Sequence, residues 1–190
     1  MPSGLKRFQK AESLHFITFS CFHRLPLLEA PGAREAVEAV LAVNLSAAFH
    51  TIRAALPGMR LRGWGRIINV ASVHGLVGSV GKAAYVAAKH GLVGLTRVVA
   101  LETAGAGITC NAICPGWVLT PLVERQIESR AAADNLSHHQ APRKLIEEKQ
   151  PSGSFTTTQA IGEFTVFLCT GAAQNLTGAA LPMDGGWTSQ

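Results

Sequence analysis

Tyrosine is almost missing from this chain: among 190 residues there is one, Tyr85, and aromatic residues together make up 6%. Any chemistry that needs a phenol is confined to that position. Charged residues are also few, at 15%, which argues against a solvated, disordered chain. The four cysteines, Cys21, Cys110, Cys114 and Cys169, show neither the spacing of a zinc site nor a disulfide framework, so reduced apolar thiols are the simpler reading. No metal is expected, and His138-His139 reads as a solvated pair. No run reaches the ~18 uninterrupted apolar residues of a membrane helix, and no leader pattern opens the chain. A soluble, cytoplasmic protein with no membrane partner is predicted. Basic groups give a net charge of +5, but they gather only at Lys6-Arg7-Lys10 and Arg143-Lys144. Nucleic acid is therefore not expected as a partner. Residues 1–43 also contain no Gly-x-Gly-x-x-Gly or Gly-x-x-x-Gly-x-Gly pattern, the backbone cradle that holds a pyrophosphate at a helix N-terminus.

What is abundant is apolar surface. Hydrophobic residues make up 47% and the mean hydropathy is +0.21, which suits a parallel sheet buried under helices on both faces. A chain of this length buries roughly 70% of its unfolded surface. Leu14–Ser20 and the apolar runs 65–71, 108–114 and 175–182 read as strands. Helical patterns cover 34–61, with Pro57-Gly58 expected to end or kink it, then 82–104, 121–133, 141–149 and 158–169. The 82–104 pattern is apolar nearly all round, which predicts burial or a subunit contact. Strand and helix alternate, as in a parallel α/β sheet.

The densest chemical signal lies in residues 66–89. The run Arg66-Ile67-Ile68-Asn69-Val70-Ala71 ends in the hydroxyl of Ser72, and thirteen residues later Tyr85 stands one helical turn before Lys89. Positions i and i+4 share a helix face. A phenol has an ordinary pKa near ~10, and an adjacent ammonium favours its ionised form. The trio is a proton-transfer arrangement in outline, although a Tyr-x-x-x-Lys spacing also arises by chance.

Its surroundings add to it. Asn69-Val70-Ala71-Ser72, the Ser72, Tyr85 and Lys89 spacing, Pro115-Gly116 with Thr120, and the closing Asp184-Gly185-Gly186 occur in order. Together they resemble the short-chain dehydrogenase/reductase family over residues ~40–190. Within it the segments 72–77, 82–85, 115–122 and 184–187 are most similar to the bacterial D-3-hydroxybutyrate dehydrogenase branch. The resemblance implies a Rossmann-type parallel sheet of three to four strands here, without the first βαβ half. It implies hydride exchange between NAD and D-3-hydroxybutyrate, giving acetoacetate. Tyr85 would be the general acid/base, Ser72 would orient the substrate oxygen, and Lys89 would tune the phenol and hold the nicotinamide ribose. Asn44 would anchor a proton-relay water. Pro115, Gly116, Val118, Thr120 and Leu122 would form the nicotinamide-side loop. His74, Lys82 and Gln126 would meet the substrate carboxylate, and Trp117 and Trp187 would wall the pocket. Asp184-Gly185-Gly186 reads as a structural turn.

Residues ~1–38 resemble instead the N-terminus of IS200-like (REP-associated) transposases, through Gly4–Phe8 and Leu14–Arg24 with Pro26. Those enzymes use a tyrosine nucleophile and a His-hydrophobic-His metal site, which this stretch lacks. A gene fusion is the implied origin, dividing the chain into 1–38 and 39–190. The truncated cofactor half predicts weak or absent turnover. The alternatives are a non-catalytic assembly module, homo-oligomeric through the 35–61 and 82–104 helices, and, more remotely, a nucleic-acid-associated fusion. Leu14–Ser20 is expected to dock beside Arg66–Ala71 and cover that edge.

Overall fold

Three runs rich in β-branched and small apolar residues form one parallel sheet: β1 (Gly65–Val70), β2 (Ile108–Pro115) and β3 (Ala180–Met183), in that spatial order. The computed structural model describes residues 33–134 and 140–190. The predicted Leu14–Ser20 strand, its docking on residues 66–71 and His138-His139 lie outside the described residues. Every residue of β2 is buried, as a strand covered on both faces requires. Its polar Asn111 is satisfied within the fold: Nδ2 donates to the Leu176 carbonyl at 2.6 Å and Oδ1 accepts from Ala179 N at 3.1 Å. Side chains of β1 alternate between layers. Ile67 packs with Ile52, Met59, Val99 and Cys110, while Ile68 packs against Ile113, Leu168 and Ala173.

α1 (Ala33–Leu41), a π-turn at Ala42–Ser46 and α2 (Ala47–Arg62) form one helical run. It is the one described helix long and apolar enough to cross a membrane by length and composition. Here it lies on the sheet, with Ile52 and Met59 in the core. Of the two outcomes expected at Pro57-Gly58, an end or a kink, the end is corrected, because the helix continues to Arg62. Proline removes only its own N–H bond, and the turn after it is held from outside: Met59 is buried under β1, and Arg60 Nη2 donates to the Glu102 carbonyl at 2.9 Å. The stop is Gly63, left-handed at φ 62°, whose N–H reaches the carbonyls of Arg60 and Met59.

α3 (Ala83–Glu102) connects β1 to β2. It buries one stripe, from Ala84 and Ala88 through Leu92, Thr96 and Val99, while Val98 is 50% and Leu101 79% exposed. Within the chain only this face of the 82–104 pattern is covered. α4 (Pro121–Asp134), α5 (Gln140–Glu147) and α6 (Thr158–Leu168) lead to β3. Thr157 caps α6, its hydroxyl accepting from Ala160 N at 3.0 Å. The last strand starts at Ala180 rather than 175. Thr177 Oγ1 takes the Cys110 N–H at 3.1 Å, so a side chain stands where a ladder carbonyl would.

Candidate active site

The carboxyl ends of β1 and β2 lie side by side, the place where open parallel sheets bind ligands. Ala71 N still donates to the Ile113 carbonyl at 2.8 Å. Ser72 then leaves the sheet in an extended conformation and its Oγ accepts from His74 N at 3.2 Å, opening the short 3-10 turn Val73–Gly75. That turn packs against α3. A Cβ at Gly75 would sit 2.9 Å from the Lys89 carbonyl oxygen, so glycine permits the approach. The buried His74 ring lies between two groups: Nδ1 is 3.3 Å from Ser72 Oγ, and Nε2 is 3.3 Å from Lys82 Nζ.

Tyr85 and Lys89 stand one turn apart on α3. Lys89 is 1% exposed, and its Nζ donates to the Val70 carbonyl at 3.1 Å while lying 5.5 Å from the Tyr85 ring centroid. The ammonium is thereby tethered to the end of β1 beside the phenol. The Tyr85 ring meets His74 edge-on at 5.8 Å. Asn44 sits in the π-turn, a helix defect that recurs at functional sites. Its Nδ2 donates to the Val40 carbonyl at 3.0 Å, while the buried Oδ1 has no partner among the described residues. The π-turn is packed on α3, where a Cβ at Gly91 would meet Leu45 at 2.9 Å.

Two tryptophans wall the other side. Trp187 stands 5.5 Å from the His74 ring and 6.2 Å from Trp117, and Lys82 Nζ lies 6.0 Å over Trp117. Trp117 Nε1 is buried without an acceptor among the described residues. Asp184 sets the Trp187 turn, accepting from Gly186 N at 3.1 Å, Thr188 N at 2.9 Å and Thr188 Oγ1 at 2.6 Å. This geometry matches the structural turn read from the sequence. Pro115 ends β2, Gly116 follows, and Val118 bridges to Thr156. Thr120 Oγ1 accepts from Val123 N at 3.4 Å at the start of α4. Leu122 and Gln126 are half-buried on α4.

The fold therefore gathers Ser72, His74, Lys82, Tyr85, Lys89, Trp117 and Trp187, with Pro115 and Gly116 at the neighbouring strand end. Sequence reasoning missed Gln150. It is 1% exposed, its Oε1 accepts from Trp117 N at 3.0 Å and its Nε2 donates to the Ser154 carbonyl. A glutamine between a charged helix and Pro151 carries no spacing that marks it. Cys114 was read only as an apolar thiol. Burial pushes it up to about 11, against the opposing pull of a hydrogen bond with the Ser72 backbone and the Lys89 charge, so it is an inert neighbour. No cluster of three or more metal-ligating side chains occurs among the described residues.

The donor set fits the nicotinamide end of a dinucleotide: a phenol and a buried ammonium one turn apart face a loop at the carboxyl end of the sheet. The family profile described as enoyl-(acyl carrier protein) reductase matches residues 14–188. The chain is 59% identical over 153 residues to D-beta-hydroxybutyrate dehydrogenase of Cupriavidus necator, covering 80% of this chain and 59% of that protein. It is 50% identical over 151 residues to D-beta-hydroxybutyrate dehydrogenase of Rhizobium meliloti, covering 80% and 58%. It thus spans less than two thirds of the length of these relatives. Among solved structures, L-sorbose reductase from Gluconobacter frateurii complexed with NADPH and L-sorbose superimposes with a TM-score of 0.84 at 25% identity, covering 91% of this chain and 65% of that one. A 4-hydroxyisoleucine dehydrogenase mutant complexed with NADH and succinate gives 0.79 at 29% identity, covering 91% and 67%. By sheet topology, by the extent of the family match and by these relatives, the chain belongs to the short-chain dehydrogenase/reductase family.

Proposed function

We propose that the chain is an oxidoreductase that interconverts D-3-hydroxybutyrate and acetoacetate with NAD. The observation that carries the reading is the meeting of two groups of side chains at one strand end: the Tyr85 and Lys89 pair, and the Ser72, His74 and Lys82 chain. The first suits proton transfer and the second a polar, anionic substrate. NAD rather than NADP rests on the branch resemblance, since relatives of known structure carry either form.

Tyr85 takes the substrate hydroxyl proton, and the Lys89 ammonium supplies the positive charge beside the phenol. Ser72 donates to the oxygen that becomes the carbonyl. Bound NAD supplies the hydride acceptor. Lys89 and Tyr85 would hold its ribose, and Pro115, Gly116, Val118, Thr120 and Leu122 its nicotinamide side. Asn44 Oδ1, buried without a partner among the described residues, would hold the water that carries the proton onward. A substrate carboxylate must not be desolvated unpaired, and Lys82 provides the charge at the His74 side, with Gln126 as a further donor. Trp117 and Trp187 exclude water and limit chain length. The same reading includes a homo-oligomer built on the exposed apolar side chains of α2 and α3, such as Phe49, Leu61, Val98 and Leu101.

The test is NADH formation with D-3-hydroxybutyrate, its L enantiomer and butan-2-ol. Turnover is expected with the D acid alone, and weak, because residues 1–43 carry no glycine-rich pyrophosphate pattern. No NADH from the D acid would sink the proposal, and equal turnover of butan-2-ol would remove the carboxylate from it. Lys82→Met is expected to raise KM for the acid about 10- to 100-fold, the worth of one charge-assisted hydrogen bond. An unchanged KM would take Lys82 out of the pocket.

A further inference from the structure

The indole N–H of Trp117 is buried without an acceptor among the described residues, so this ring is placed by its backbone and by packing. The backbone is gripped on both sides: Trp117 N donates to Gln150 Oε1 at 3.0 Å, and the Trp117 carbonyl accepts from Thr156 N at 2.9 Å. Gln150 follows α5, its own N–H donating to the Ile146 carbonyl at 2.8 Å, and its Nε2 donates to the Ser154 carbonyl. An amide bonded through both its acceptor and its donor has one orientation, and a buried amide is costly in any other. The same side chain also meets the loop of the second tryptophan. A Cβ on Gly185, two residues before Trp187, would lie 2.6 Å from Gln150 Cγ and 2.9 Å from Nε2, and a Cβ on Gly116 would lie 2.7 Å from Oε1. One glycine in each tryptophan-bearing loop thus leaves the slot that Gln150 fills. Beside it, Ser152 N donates to the Gly185 carbonyl at 2.9 Å.

We infer that Gln150 is a positioning residue: threaded between Gly116 and Gly185, it sets Trp117 against Trp187 and thereby the length of the pocket that the two rings wall. Their centroid separation of 6.2 Å is held from behind, by a side chain that is 1% exposed and so out of a substrate's reach. It acts through the Trp117 backbone on one side and through Gly185 on the other. The effect on substrate length rests on the oxidoreductase reading, whereas the setting of the rings rests on the geometry alone.

The experiment has two arms. In the first, the whole chain is labelled with 5-fluorotryptophan, and its 19F signals are assigned with Trp64→Phe, Trp117→Phe and Trp187→Phe. Trp64, at the opposite end of β1 beside Arg66, reports that the fold is intact. Gln150→Met, which keeps the length of the side chain and removes both hydrogen bonds, is expected to shift the Trp117 and Trp187 signals and leave Trp64 in place. An unmoved Trp117 or Trp187 signal would overturn the inference. Should Trp64 move as well, Gln150→Asn, which keeps a buried amide one methylene short of both partners, is read in its place with the same expectation, and loss of the fold in both variants would make Gln150 a structural residue only and overturn the inference. In the second arm, kcat/KM is compared for D-3-hydroxybutyrate and D-3-hydroxypentanoate. One methylene in a fitted apolar pocket is worth about 10- to 200-fold. The unsubstituted chain is expected to favour the shorter acid on that scale and the substituted chain to lose most of the preference, whereas an equal fall for both acids would overturn the role in substrate length. Absence of turnover with either acid in the unsubstituted chain would count against the oxidoreductase reading, and the fluorine signals would still decide whether Gln150 sets the rings.

Discussion

Cys110 and Cys114 occupy the buried strand β2, and burial pushes their thiols from 9.0 up to about 12 and about 11 respectively. Only a thiolate attacks alkylating reagents. Neither residue is expected to react with iodoacetamide at pH 8 in the folded protein, and both should react once urea unfolds it. Mass-spectrometric labelling checks this, and rapid native modification of Cys110 would contradict the burial described. The same shifts carry a pH dependence. The folded state holds these protons more tightly than the unfolded chain, so their contribution to stability is complete below the unfolded value near 9.0 and is lost as pH rises through the folded values. The urea midpoint is expected to fall between pH 8 and pH 10. At this scale Ser72, Tyr85 and Lys89 were legible because a strand end and one helical turn impose their spacing on the chain. Gln150 was not, since its partner Trp117 is brought to it by tertiary folding. Nor was the placement of His74 between Ser72 and Lys82, which depends on the 3-10 turn.

Elements were legible where a pattern maps onto a single local geometry. The β1 and β2 strands and the α3, α4 and α6 helices lie where apolar runs and breakers put them. The misses have physical causes: Pro57 is carried inside α2 because Met59 and Arg60 are held by the sheet and by α3, and β3 starts late because Thr177 substitutes for ladder pairing. The close contact between the end of α2 and the start of β2 was invisible in the sequence. Gly107 has φ 71°, and a Cβ there would lie 2.0 Å from the Gly63 carbonyl oxygen. Gly107→Ala therefore adds both a disfavoured backbone and a clash, and is expected to cost more than about 1 kcal/mol. Thermal unfolding measures it, and an unchanged Tm would show that the junction is looser than described.

For the whole molecule, the family and its parallel sheet follow from an ordered set of motifs, while association does not, because an apolar helix face reads alike under a core or a partner. The exposed Phe49, Leu61, Val98 and Leu101 predict self-association in light scattering, weakened by Leu101→Lys. A monodisperse monomer would contradict the oligomer. The central claim concerns the phenol. Proton transfer by a positioned side chain contributes about 10²- to 10⁴-fold in rate, and Tyr85 is the chain's one tyrosine. The most direct measurement is the initial rate of NADH formation from D-3-hydroxybutyrate by the unsubstituted chain beside Tyr85→Phe, which keeps the ring and removes the hydroxyl. The account predicts turnover that falls at least about 100-fold in the variant. Equal rates in the two proteins would contradict it.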